Sequence, residues 1–254
     1  MESVLIKMKT LNSVKKLALG LVVGGLFAWQ AEATLAYDYS PSLPGNQIYD
    51  GWLGMTFTVN STISVTSLGA FDAGSDGFGS ATPQVAIYSI PVVGGNLDVP
   101  NGSLVSPIAS FSGTSQSLIS GTSVRSESIS PLTLNAGVYM VVATGLTEHY
   151  NAGGNPTLVT MNTGGGLITY GWSAGAPNWF GNFANDNGGP LPGTLGNNGI
   201  FGDYWGGGGP IGRYGAGTFE FTPVPEAAGF TMAGIALLGL VYVGRVYSQR
   251  LKIA

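Results

Sequence analysis

The chain has 254 residues and no cysteine, with nine basic against thirteen acidic side chains. The lack of cysteine excludes disulfides, zinc–thiolate and iron–sulfur sites and a cysteine nucleophile. Between residues 34 and 222 only Arg125 and Arg213 are basic, against ten acidic residues, which gives a formal net charge of about −8. A surface of this sign repels phosphate backbones, so we expect no nucleic-acid binding, and acidic polysaccharides would need a bridging divalent cation.

Residues 1–33 are organised like a secretory signal peptide. Four lysines precede the uncharged run 17–28, which is shorter than the roughly 20 apolar residues of a membrane-spanning helix. Ala31 and Ala33 then provide the small side chains that a signal peptidase requires. We therefore predict export, with cleavage after Ala33 and Ala36 as the second choice. A retained N-terminal anchor is the alternative.

Residues 34–222 are predicted to form one all-β domain. Short apolar runs alternate with polar residues and end at Gly, Pro, Asn or Ser, as antiparallel strands do. The run 137–143 is almost continuously apolar, which predicts a strand buried on both faces. About ten short strands and no amphipathic helix favour a single antiparallel β-sandwich, jelly-roll-like in topology. The predicted strands are 53–59, 63–68, 85–90, 104–111, 117–119, 124–129, 137–143, 157–162, 167–172 and 217–222.

The loop after the end of strand 63–68 contains a candidate cation site. Asp72, Ser75 and Asp76 place oxygen atoms close together on a turn whose glycines allow tight curvature, as a calcium site requires. The full EF-hand spacing is absent, because Pro83 stands where the twelfth-position Glu would be. Calcium binding and an ordinary turn containing Asp76 and Gly77 are both open interpretations.

Residues 151–217 differ in character from the rest of the domain. They hold 21 of the 42 glycines, with many asparagines and scattered aromatic residues, and predict a long loop that is either functional or poorly ordered. Exposed aromatic rings can stack on sugars while Asn and Asp bind hydroxyls, so one interpretation is a polysaccharide-binding platform. The other is that the rings pin the loop onto the sandwich. The platform would consist of Trp172, Trp179, Tyr204 and Trp205.

No set of residues in the sequence points to catalysis. His149 is the only histidine, and no Gly-Xaa-Ser-Xaa-Gly motif is present to display a serine nucleophile beside it. Glycoside hydrolysis needs two facing carboxylates, and no spacing pairs any two of the candidates. We expect His149 to be a loop residue and the protein not to be an enzyme. The carboxylates considered are Glu127, Glu148, Asp186 and Asp203.

The C-terminal residues 223–254 have three parts in a fixed order. A Val-Pro-Glu motif is followed by the uncharged, mostly apolar run 227–244 and then by the basic tail 245–254. The run is long enough for a short membrane span, and basic residues after it place the C-terminus in the cytoplasm. We predict an inner-membrane helix here. The motif is Val224, Pro225 and Glu226, and the flanking basic residues are Arg245, Arg250 and Lys252.

This order resembles the PEP-CTERM sorting signal of Gram-negative bacteria. The resemblance implies recognition of Pro225 and Glu226 by an exosortase, an integral-membrane cysteine protease or transpeptidase. It also implies release or transfer to the cell surface, often in organisms that make an exopolysaccharide matrix. Ala227 departs from the family, which usually has a second proline there, and the tail ends in apolar residues. A stop-transfer anchor that is never cleaved is the alternative.

A second resemblance covers about residues 48–145. The run 53–59, the run 68–72 followed by Asp76 and Gly77, and the later pattern ending at Tyr139 are similar to β-sandwich domains common in PEP-CTERM proteins. This resemblance implies a fold rather than an activity. We therefore expect an exported, non-enzymatic cell-surface or extracellular-matrix protein. A carbohydrate-binding module for exopolysaccharide, built on the aromatic residues of 172–205, is the alternative.

Overall fold

The structure is a computed structural model. It describes residues 32–39, 45, 51–146, 159–170, 182–185, 189–196, 201–202 and 216–224, all within the compact unit Glu32–Val224. Nearly all of the predicted signal peptide, together with the predicted membrane span and basic tail, lies outside these residues. Within the part of the chain that is described, no helix is both long and apolar enough to cross a bilayer.

The described chain is built almost entirely of short strands. Two one-turn 3₁₀ helices, Ala73–Ser75 and Val99–Asn101, are the helical elements among the described residues. The seventeen strands are β1 Thr34–Leu35, β2 Tyr37–Tyr39, β3 Trp52–Val59, β4 Ile63–Phe71, β5 Gln84–Ser89, β6 Val92–Val93, β7 Asn96–Leu97, β8 Ser103–Leu104, β9 Ala109–Ser110, β10 Ser117–Leu118, β11 Val124–Leu134, β12 Gly137–Thr144, β13 Val159–Met161, β14 Ile168–Tyr170, β15 Asn182–Asn185, β16 Phe201–Gly202 and β17 Gly217–Pro223.

The strands form two main antiparallel sheets. We call the five-stranded sheet, with the order β1-β17-β4-β11-β10, sheet A, and the eight-stranded sheet, with the order β16-β15-β3-β12-β5-β8, sheet B. In sheet B, β14 also pairs with β3 and β9 with β5, while β2–β13 and β6–β7 form separate pairs. The all-β, antiparallel prediction is confirmed, and the architecture is sandwich-like.

One hydrophobic core takes side chains from both sheets. Phe57 of β3 in sheet B packs against Phe219 of β17 in sheet A, with ring centroids 4.6 Å apart. Full burial of an apolar side chain of this kind stabilises the folded state by about 1.5–3 kcal/mol relative to leaving it exposed. The core also includes Leu53, Met55, Ile63, Val65, Val85, Ile87, Val124, Leu134, Val141, Ala143 and Phe221.

Strand β12 is buried on both faces, as its sequence predicts. Val141 and Ala143 belong to the core between the sheets, whereas Met140 and Val142 belong to a second apolar cluster that includes Trp52. All four β12 residues are at most 1% exposed. The second cluster explains why a central strand of this sheet carries no alternation of polar and apolar side chains.

A bulge in β4 changes which residues face the core. The pairing with both neighbouring strands shifts register between Val65 and Ser67, which leaves Thr66 without a partner in either strand. A one-residue shift moves the following side chains to the opposite face. Ile63 and Val65 before the bulge and Leu68 after it therefore all reach the core, although their spacing breaks the period of two.

The predicted strand 104–111 is wrong as a single element. It is divided into β8 and β9, because Pro107 has no N–H for a ladder and Val105 and Ser106 both donate to the carbonyl of Ile87. The Ser106 hydroxyl closes this irregularity by accepting from the N–H of Ile87, 2.8 Å away. The predicted strand 157–162 is present as β13, but it pairs with β2 outside the two main sheets.

Candidate functional site

The candidate cation loop begins where β4 ends. Residues 73–75 make one 3₁₀ turn, in which Gly74 has φ +82° and Ser75 has φ +62°. Gly77 then has φ +102°, and a Cβ there would lie 2.8 Å from the carbonyl oxygen of Gly113. Only glycine fits this position without strain. The backbone of the turn can therefore approach both Gly113 and the Asp72 carboxylate.

The carboxylate of Asp72 is already paired with a cation of the chain itself. Arg125 Nε donates to Asp72 Oδ2 over 2.6 Å, and the side chains of Arg125 and Asp72 are 7% and 1% exposed. The N–H of Gly77 also donates to both carboxylate oxygens, at 3.0 and 3.1 Å. Asp72 is thus held in a buried ion pair that joins β11 to the end of β4.

The remaining guanidinium donors of Arg125 bind backbone carbonyls. Nη1 donates to the oxygen of Gln116 at 2.9 Å, and Nη2 donates to the oxygen of Ser75 at 3.2 Å. One side chain thereby ties together β11, the residue preceding β10 and the loop after β4. Arg125 is one of only two basic residues between positions 34 and 222, and this scarcity is the one sequence signal for its role.

Opposing effects act on the acidity of Asp72. Burial raises the pKa of this carboxyl above its ordinary value, while the hydrogen bond and charge of Arg125 and the N–H of Gly77 partly lower it. The negative charge of nearby Asp76 adds to the increase in pKa. Burial of this ion pair therefore carries a high desolvation cost. Removal of either partner would leave the other as an uncompensated buried charge.

Calcium binding at this loop stays a prediction. The structure does bring Asp72, Ser75 and Asp76 onto one turn, but the Ser75 hydroxyl donates to Ser123 Oγ at 3.3 Å and Asp72 is neutralised by Arg125. Across the described ranges, no three or more His, Asp or Glu side chains gather in a group suited to a metal ion. An ion here would have to share Asp72 with the guanidinium.

The predicted sorting motif begins directly after a strand that is paired on both sides. β17 lies between β1 and β4, and its last residue, Pro223, is in register with Ile63. The N–H of Val224 donates to the carbonyl of Thr62 over 3.2 Å. Val224 is the one residue of the predicted motif within the described chain, and this hydrogen bond attaches it to the domain. The other predicted residues of this signal, namely Pro225, Glu226, Arg245, Arg250 and Lys252, lie outside the described residues.

The four aromatic residues of the predicted sugar platform also lie outside the described residues, but the strands beside them are described. Segment 171–181, which carries Trp172 and Trp179, leaves β14 at Tyr170, opposite Phe57, and rejoins sheet B at Asn182, opposite Met55. Both ends of this segment therefore attach to neighbouring positions of β3.

The second aromatic segment starts from the same edge of sheet B. Residues 203–215, with Tyr204 and Trp205, follow Gly202 of β16. Gly202 pairs with Phe183 of β15, which in turn pairs with Gly54 of β3. Three of the four ends of the two segments, namely Tyr170, Asn182 and Gly202, therefore lie on neighbouring strands at this edge of sheet B.

Part of the Gly/Asn-rich region is a packed strap rather than a free loop. Leu191 and Leu195 cover the outer face of sheet B as members of the second cluster. The Tyr88 hydroxyl donates to the Pro192 carbonyl at 2.6 Å, and Trp52 Nε1 donates to the Gly189 carbonyl at 3.2 Å. In the strap 189–196, leucines of the segment and rings of the sheet hold the chain in place. The prediction of a long loop is wrong for this stretch and for β15 and β16, whereas β13 and β14 lie in the predicted strands 157–162 and 167–172.

Most of the other residues considered for catalysis lie outside the described residues. Glu127 is exposed on β11, and its three partner candidates Glu148, Asp186 and Asp203 lie outside the described residues, as does His149. Comparison of the chain with family models, curated proteins and solved structures gives no match.

Proposed function

We propose that the chain is an exported, non-enzymatic protein of the cell surface or extracellular matrix, sorted by its C-terminal exosortase-type signal. Its domain is a jelly-roll-like sandwich flanked by a signal-peptide helix and a C-terminal transmembrane helix. The proposal is supported by the signal-peptide pattern of residues 1–33 and by the fixed order of motif, apolar run and basic tail after residue 223.

The observation that carries the proposal is where the paired strands begin and end. β1 starts at Thr34, the first residue after the predicted signal-peptide cleavage, and β17 ends at Pro223, next to the predicted motif. The domain would therefore keep every described strand after processing at both ends. A sorting signal that is removed from a folded domain requires that the signal lie outside the strands of that domain.

The proposed route has three stages. The signal peptide directs residues 34–226 across the inner membrane, and the run 227–244 holds the chain there with its basic tail in the cytoplasm. An exosortase-type protease then recognises Pro225 and Glu226, and the domain passes to the cell surface or the matrix. The acidic domain, with two arginines against ten acidic residues, would stay soluble and avoid nucleic acid.

The mass of the mature protein tests this route. The full chain is produced in a Gram-negative host with and without an exosortase, and the exported product is analysed by intact mass spectrometry. We expect a C-terminus at or beside Pro225 and Glu226 only when the exosortase is present. The matched control Glu226→Gln should keep its tail. A wild-type product that still carries Leu251 to Ala254 in the exosortase host would favour the permanent anchor.

Carbohydrate binding is the second candidate function. The observation that favours it is the common sheet edge from which segments 171–181 and 203–215 leave, because this topology lets two aromatic-bearing segments contribute to one surface. Aromatic rings that stack on sugar faces and amides that bind hydroxyls would serve a neutral polysaccharide. The proposed contact residues are Trp172, Trp179, Tyr204 and Trp205.

Glycan-array binding of the exported protein, with and without calcium, tests this function. Trp179→Ala and Trp205→Ala should each abolish binding while leaving the melting temperature unchanged. Trp52→Phe is the matched control, since Trp52 is a buried member of the second cluster and should affect stability and not affinity. Failure of the wild-type protein to bind any glycan would remove the candidate.

A further inference from the structure

The first strand of the described domain pairs with β17. In β1, Thr34 pairs with Phe221 and Leu35 pairs with Glu220, so the strand covers the free edge of β17. The next residue extends the attachment, since the N–H of Ala36 donates to the carbonyl of Phe219 over 2.9 Å. The N-terminal segment is thus joined to the strand that leads into the sorting motif.

Side chains from other elements fix the same segment. The carbonyl of Ala36 accepts from the Tyr170 hydroxyl at 2.6 Å and from the N–H of Asn162 at 2.9 Å. Asn162 Nδ2 donates to the carbonyl of Leu35 at 2.8 Å. Each of these contacts requires that residues 35 and 36 remain part of the chain.

Exposure decreases stepwise from the predicted processing point onward. Glu32 and Ala33 are exposed, Thr34 and Leu35 are half-buried, and Ala36 is fully buried. The boundary between solvent and domain therefore coincides with the first of the two cleavage positions that the sequence offers. The second position, after Ala36, lies inside the packed segment.

Cleavage after Ala36 would have two structural consequences. It would delete β1 and expose the edge of β17. It would also place a charged amino group on Tyr37, which is fully buried and whose backbone nitrogen donates to Thr218 Oγ1 at 2.9 Å. A buried ammonium needs an opposite charge to offset its desolvation cost, and the neutral Thr218 hydroxyl does not provide one.

We infer that the signal peptidase releases the domain between Ala33 and Thr34, and that the strand at the new N-terminus fixes β17, which leads into Val224. Hydrolysis of that amide adds water, giving a carboxylate on Ala33 and an ammonium on Thr34. The new charge lies at the half-buried end of β1, beside solvent. The inference rests on the proposed export and adds to it a coupling between the two ends of the mature chain.

N-terminal sequencing of the exported full chain tests the inference. We expect a product that begins at Thr34. An exported product that begins at Tyr37 would overturn the inference while leaving export intact. A product that keeps residues 1–33 would instead contradict the proposed signal peptide, so the two failures are distinguishable.

A pair of exposed-site variants tests the role of β1. Ala33→Leu removes the small side chain that the peptidase needs, whereas Glu32→Leu changes the neighbouring exposed residue and should be processed like wild type. Ala33→Leu should accumulate uncut precursor or yield a chain that begins at Tyr37. That shorter chain should show hydrogen exchange in β17 at least about tenfold faster than the wild-type chain. Normal cleavage of Ala33→Leu before Thr34, or wild-type protection of β17 without β1, would contradict the inference.

Discussion

Replacement of Arg125 by methionine is the sharpest probe of how the domain is held together. Met has a similar length and an apolar stem, so the substitution removes the guanidinium and leaves most of the packing. Three acceptors lose their donors, namely the Asp72 carboxylate and the carbonyls of Gln116 and Ser75. We expect Arg125→Met to fold at neutral pH, with a clearly lower free energy of unfolding.

The size of the loss follows from the position of Asp72. With 1% of its side chain exposed, an uncompensated carboxylate would be protonated rather than stay charged. Protonation at pH 7 of a group with an ordinary pKa of 3.8 costs about 4 kcal/mol, at about 1.4 kcal/mol per pH unit. This is within the range of about 3–5 kcal/mol typical of a broken buried pair. For a domain of this size, the melting temperature should fall by roughly 8–16 °C.

Two rescues distinguish this electrostatic account from a simple packing loss. Without Arg125, the pKa of Asp72 in the folded state lies further above its unfolded value, so the folded state takes up the proton more readily. Stability is then regained as pH falls through the raised folded pKa, and it is fully present below the unfolded value. Adding Asp72→Asn to Arg125→Met should restore stability in the same way at neutral pH, because it removes the charge.

Denaturant unfolding of the three proteins at neutral and acidic pH is the assay. The free energy of unfolding of Arg125→Met should move toward that of wild type both in acid and in the double variant. A loss of less than about 1 kcal/mol for Arg125→Met would refute the argument, since that is the range of exposed ion pairs. A double variant no more stable than Arg125→Met at neutral pH would refute it as well, because it would mean that the charge of Asp72 is not the source of the loss.

Three further predictions concern particular positions. Burial raises the pKa of Tyr88 and Tyr170 above the ordinary value of 10.0. The stability that both contribute is therefore fully present below that pH and is lost as pH rises. In an alkaline titration, tyrosinate absorbance should increase together with unfolding above about pH 10. Gly77→Ala should cost more stability than Gly95→Ala in thermal unfolding, because both positions have positive φ but only at Gly77 would a Cβ meet backbone atoms; equal losses would contradict the reasoning. The predicted calcium site requires that excess calcium raise the melting temperature of wild type and not of Asp76→Asn, and an unchanged wild-type value would remove it.

Hydrophobic periodicity predicted the longer strands and missed several of the short ones. β3, β5 and β12 have six or more residues and a clear apolar pattern, so their existence follows from the sequence. β1 and β16 have two residues each, too few to show any period. Their pairing depends on backbone groups brought together by the rest of the fold, which no local pattern encodes.

The same distinction applies to the candidate site. The turn from Asp72 to Gly77 was predictable from Asp and Gly residues close in sequence. Its pairing with Arg125 was not, since the two charged residues are separated by 53 positions and meet only when β11 aligns with β4. The β4 bulge at Thr66 is similar, because a register shift shared with two neighbours is a property of the sheet.

The two predicted processing points are the opposite case. Enzymes recognise short linear signals as extended sequence, so the residues of such signals can be predicted without knowledge of the fold. The fold adds what the signals cannot contain, namely that the first strand after Ala33 pairs with the last strand before Val224. That pairing is the structural link between the predicted start and the predicted end of the mature protein.

The intact mass of the mature protein, isolated from an exosortase-bearing host, tests the central claim most directly. The proposed sorting route predicts a single species that begins at Thr34 and has lost the apolar run 227–244 and the basic tail. A mature species that still ends at Ala254 would contradict it and identify the C-terminal segment as a permanent anchor.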